Sequence, residues 1–239
     1  MDVRDGFIVS IYNYCDSWCE TCAFTSRCRV FADVAEAEAA LDPQLQAIVH
    51  APLPPSDDPP PPGWMTELID EMNAASLAMD PARPVEPRRT PVPAAHLALR
   101  ERSRAYCEQV HGWLRTRDYF SIDAPDDPRA VVAWFHTLIP AKIARAVIGQ
   151  AEDNTVRDWP ADFDGSAKVA LIGLDRSHAA WLQIVESGLA TYEEVARFIA
   201  DVVWLGEAIE QAFPDARAFV RPGFDEPDAV ARLRDGEET

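Results

Sequence analysis

Lysine is nearly missing from this 239-residue chain: Lys142 and Lys168 are the only two, and all basic side chains together number 22 against 40 acidic ones, a net charge of −18. So acidic a chain lacks the clustered cations that neutralise phosphates, which argues against nucleic acid or an anionic membrane as a partner. The opening MDVRDGFIVSIYNYC has no basic stretch followed by a long apolar one, so no secretory signal is expected. No uninterrupted apolar run reads as long enough to cross a bilayer. A Gly-rich phosphate loop, an internal repeat and a strong alternation of apolar and polar residues are also missing, which argues against nucleotide-binding βα units and large sheets. With 48% hydrophobic residues the chain can still build a core. The expectation is a soluble cytoplasmic protein, and its arginine-for-lysine bias reads as the codon usage of a GC-rich bacterial genome.

Cysteine is scarce as well, but concentrated. Four of five cysteines, Cys15, Cys19, Cys22 and Cys28, lie in YCDSWCETCAFTSRC with the spacing C-x3-C-x2-C-x5-C. Thiolates so close along the chain can wrap one ion or one cluster, whereas disulfides would staple distant loops and are disfavoured in a reducing compartment. Zinc sites are usually built from two short knuckles separated by a longer loop, and here every interval is short. An iron–sulfur cluster of the 4Fe-4S type is therefore the expected cofactor, with one structural zinc as the alternative. Tyr12, Tyr14, Trp18, Phe24 and Phe31 would restrict water around the site, and Arg27 and Arg29 could offset its negative charge. Cys107 stands apart on an apolar stripe and reads as a small core residue.

The first three cysteines resemble the C-x3-C-x2-C signature of the radical-SAM enzymes. That resemblance implies an α/β barrel and one cluster iron left open for the cofactor. The chain continues instead with helical patterns and proline straps, and Cys28 would close the open iron, so the resemblance is set aside. The run also departs from that of bacterial ferredoxins, whose last cysteine precedes proline; Cys28 precedes Arg29.

Periodicity predicts an all-α protein: a bundle of about five long helices with a small N-terminal cysteine-rich metal-binding segment. Short helices are expected over 33–41 and 43–49, and the metal-binding segment over 1–50. APLPPSDDPPPPG, residues 51–63, reads as a Pro-rich linker, and residues 64–224 as the helical bundle. Within it, helices are expected at 65–79, 94–117, 128–148 with Gly149 as stop and a kink at Pro140, from an Asp164 cap to 186, and after the capping box Thr191-Tyr-Glu-Glu194 until Pro214. An acidic, loosely held tail occupies 225–239.

Glu108-Gln-Val-His111 resembles half of a ferritin-like di-iron site, and a cysteine site joined to such a bundle is similar to a rubrerythrin. Rotation at about 100° per residue points Glu108 away from the buried stripe, and no second half is present. A different constellation survives rotation: Lys142, Lys168, Asp175 and His178 fall in or beside apolar arcs, where unpaired charges are costly. They form either a buried ion-pair network or a pocket for an anionic small molecule, and are the candidate catalytic residues should the protein be an enzyme. The small residues Ala167, Ala170, Gly173, Ser177 and Ala180 predict close helix packing. The leading functional expectation is a redox or accessory electron-transfer protein with a redox partner; the rival is a zinc-stabilised helical module that binds a protein partner.

Overall fold

Among the described residues the apolar stripes become four long helices. The computed structural model describes residues 2–42, 91–117, 119, 124, 126–151 and 162–226. The chain divides into two compact units, one made of 1–33 with 89–239 and the other of 34–88. Contact thus places the division after Asp33 rather than along the proline-rich 51–63, and groups the cysteines with the long helices. The helices expected at 43–49 and 65–79 and the 51–63 linker lie outside the described residues.

In the first unit a two-residue hairpin, β1 (Val3–Arg4) and β2 (Phe7–Ile8), pairs Val3 with Ile8 and Arg4 with Phe7. Asp5 and Gly6 close it with φ of 51° and 82°, the left-handed pair that an Asp-Gly turn supplies. Short 3-10 turns at Ile11–Tyr14, Cys19–Thr21 and Thr25–Arg27 carry the chain through the cysteines. Helix α1 (Arg29–Ala39) follows; it starts four residues before the expected position, and the division between units crosses it. In the second unit the described residues are Val34–Asp42, the remainder of α1 and the turn after it.

The body consists of α2 (Ala94–Arg115), α3 (Pro128–Ala151), α4 (Asp162–Glu186) and α5 (Tyr192–Ala212). Each packs on its sequence neighbours and α5 returns to α2, closing a ring of four. Asp127 opens α3 by accepting the Arg129 backbone N–H (2.8 Å). Gly149 does not stop this helix, which runs on to Ala151 and passes through Pro140 without ending. Helix α4 begins at Asp162, so Asp164 sits in its first turn, where burial and then the nearby Asp215 raise its pKa. The capping box of α5 forms as read: Thr191 Oγ1 accepts the Glu194 N–H, and Glu194 accepts the Thr191 N–H at 2.8 Å.

The core runs along the ring axis. Trp181 stacks on Phe198 with ring centroids 5.0 Å apart, meets the edge of Trp113, and donates its indole N–H to Tyr106 Oη (3.2 Å). The small-residue face of α4 is buried, and a Cβ on Gly173 would lie 2.9 Å from the Phe135 ring, so α3 and α4 meet at close range. By length and composition α3 is apolar enough to cross a membrane, with a mean hydropathy of 1.4 over a window that is 39% buried. Its apolar run is interrupted by Arg129, Lys142 and Arg145. This helix is apolar around much of its circumference because α2, α4 and the cysteine segment all pack on it.

Candidate metal centre

The cysteine segment is seated on the body by three successive contacts with α3 and α4. The Asn13 carbonyl accepts the ammonium of Lys142 (3.2 Å). Tyr14 lays its ring where a Cβ on Gly165 would stand only 2.3 Å away, and donates its hydroxyl to Asp162 (3.0 Å). Burial, followed by the negative charge of Asp162, pushes the Tyr14 pKa far above the ordinary phenol value. The Asp16 carbonyl accepts the Trp134 indole N–H (2.9 Å), while its carboxylate caps the Trp18 N–H (3.2 Å) and pairs with Arg176 (2.6 Å). Trp18 then stacks on Trp134 at 5.3 Å.

So anchored, the loop turns its cysteines inward. Cys15, Cys19, Cys22 and Cys28 line one small, partly open cavity of about 30 Å³, together with the apolar side chains of Ile11, Trp18, Phe24, Phe31 and Phe224. All five cysteines of the chain are free thiols. Cys19 is exposed and the other three cavity thiols are half-buried. Ile8, Ile11 and Phe24 form a small core behind them, against which Cys22, Cys28 and Phe224 pack. Gly223 (φ 79°) brings the chain so close that a Cβ there would lie 3.1 Å from both Ile8 and Ile11.

The electrostatics of the cavity favour neutral thiols at Cys19 and Cys22. Burial raises the pKa of Cys19, and the neighbouring Cys15 and Cys22 raise it further; burial likewise raises Cys22, with Asp16, Cys15 and Cys28 adding, against an N–H from Phe24 to its sulfur at 3.4 Å. Raised in this way, the two thiols hold their protons more tightly than a free cysteine does. Arg27, immediately before Cys28, keeps a buried Nε–H with no acceptor among the described residues, a donor that an anionic centre would suit. As protein side chains alone, no three His, Cys, Asp or Glu groups among the described residues are gathered to hold a metal ion.

Compared with known proteins, the chain matches no family, no curated protein and no solved structure.

The other candidate residues do not share one site. Lys142 faces the cysteine segment. Lys168 donates to the Phe219 carbonyl and pairs with Asp225 (2.8 Å), which Arg221 also holds (2.9 Å). Burial alone would raise the Asp225 carboxyl, but the hydrogen bonds from Arg221 and Lys168 hold it well below the usual range, so the expected loose tail is already tied down at its first residue. Asp175 takes both Arg217 nitrogens (2.6 and 3.2 Å) beside a groove that His178 also lines. The four-residue pocket of Lys142, Lys168, Asp175 and His178 is therefore not assembled: rotation placed each side chain on its helix but could not show which neighbour faced it.

Glu108 is exposed and pairs with Arg104 (3.5 Å), as its position opposite the stripe requires. His111 meets His136 across α2 and α3 (3.4 Å), a contact that an isolated E-x-x-H did not reveal. Burial and then Glu108 raise the Cys107 pKa, in keeping with an inert, half-buried thiol.

Proposed function

We propose that Cys15, Cys19, Cys22 and Cys28 hold an iron–sulfur cluster of the 4Fe-4S type, and that the protein is a one-electron carrier or accessory electron-transfer subunit. The observation that carries this reading is the single apolar cavity lined by all four thiols and built onto a helical body. The short intervals between the four cysteines support a cluster over one tetrahedral ion, whose sites are usually built from two knuckles separated by a longer loop. Cys19 at the surface leaves one edge of the site within reach of a partner protein.

In this role one electron arrives from a reduced one-electron carrier protein and one leaves to an oxidised acceptor protein, and no covalent bond in the chain changes. Thiolate ligation of this kind suits a reducing compartment such as the cytoplasm. Anaerobic purification tests the reading: a brown protein with equal iron and sulfide, and an EPR signal on reduction, is expected. A colourless protein with one zinc would overturn it in favour of a metal-stabilised interaction module.

A further inference from the structure

Lys142 is a buried cation without a buried anion. Its residue is 9% exposed, its Nζ donates to the neutral Asn13 carbonyl (3.2 Å), and no carboxylate lies within ion-pair distance of it among the described residues. The nearby acidic groups have other partners: Asp162 holds Arg145 and Tyr14, and Asp16 holds Arg176. Burying an ammonium in this way is costly unless a counter-charge is close. Burial lowers the Lys142 pKa, and the neighbouring Cys15, Asp162 and Asp16 act against that fall. The helix positions it deliberately, for Trp134 two turns earlier and Arg145 one turn later fasten the same segment to the body through Asp16 and through the Asp162 carboxylate that also takes the Tyr14 hydroxyl.

We infer that Lys142 is the built-in counter-cation of the cysteine site, stabilising its anionic four-thiolate form and holding its reduction potential above the value the thiolates alone would set. The inference rests on the cluster reading. A cluster with four thiolates is a dianion that becomes a trianion when it takes one electron from a reductant, so a fixed positive charge favours the reduced state more than the oxidised one. Lys142 is a positioning residue that never exchanges electrons.

EPR-monitored redox titration of the full-length protein, purified anaerobically, tests this in Lys142→Met and Lys142→Arg. The Met variant should titrate at a more negative midpoint than wild type with iron and sulfide content retained, and the Arg variant, which keeps the charge, should stay near wild type. A fully loaded Met variant with an unchanged midpoint overturns the inference while leaving the cluster reading intact. Should the Met variant fold but load poorly, restored loading in the Arg variant supports the counter-charge, and equal failure of both overturns it in favour of a packing role. Wild-type protein that carries zinc instead of iron and sulfide defeats the underlying reading before any variant is compared.

Discussion

The four-helix body and the cysteine segment are held by different forces. The body buries aromatic and aliphatic side chains from all four helices, with Trp181, Tyr106, Phe135 and Phe198 among the largest that are fully enclosed. The segment buries Ile8, Ile11, Tyr14 and Phe24, and one of these, Tyr14, belongs to the contact with α4 rather than to the segment itself. Its backbone is a two-residue ladder and three single turns, too few hydrogen bonds and too little apolar area to fix the chain alone. The body owes its fold to burial; the segment owes its shape to anchors on the body and, in the reading proposed above, to a metal centre.

The most damaging way to separate the two regions is in the core. Trp181→Ala removes the ring stacked on Phe198 and should cost about 3–5 kcal/mol of helical stability. Thermal unfolding followed at 222 nm would report it, while iron and sulfide per folded chain stay unchanged; a parallel loss of metal would show that the two regions are not energetically distinct. Next comes Gly165→Ala, whose Cβ would stand 2.3 Å from the Tyr14 ring and force it off α4. A loss of about 1–3 kcal/mol is expected, together with faster amide exchange in residues 10–28 and little change within α2 and α5. Cys22→Ser should have the reverse signature of Trp181→Ala: metal content falls, exchange rises through residues 8–28, and the helical signal is kept to within a few per cent.

The smallest effect is a pH dependence confined to the body. Burial, with a further push from His111, lowers the His136 pKa below its ordinary 6.5, outweighing the hydrogen bond to Ala133. The unfolded chain therefore binds this proton more tightly than the folded one. The resulting stability is present in full above about 6.5 and declines as pH falls through the folded value. Denaturant midpoints measured across that window should show the decline in wild type and a flatter profile in His136→Gln.

Much of the body was legible in the sequence because its signals are local. The Thr191–Glu194 box, the Asp127-Pro128 start and the small-residue face of α4 each depend on neighbours within one or two turns, and all three appear where their spacing puts them. The hairpin at Asp5-Gly6 also carried a local signal, the Asp-Gly pair, but two-residue strands are too short to show alternation. The cysteine spacing pointed to one site; the four cysteines line one cavity, but among the described residues they are not gathered to hold a metal ion. What could not be read was which side chains meet across elements. Tyr14, expected in the shell around the thiols, turns away onto Gly165, and Lys142 faces Asn13 rather than Asp175 or His178. Those outcomes depend on how the segment docks, for which a single helix's periodicity holds no information.

The wall that Phe224 supplies to the cysteine cavity also imposes an order in time. A ribosome releases Cys28 nearly two hundred residues before Phe224. A nascent chain therefore displays its four thiols without the side chain that shields them from water. In the reading proposed above, a metal centre inserted before residue 224 has been made would lack that wall, and the exposed thiols would need protection until then.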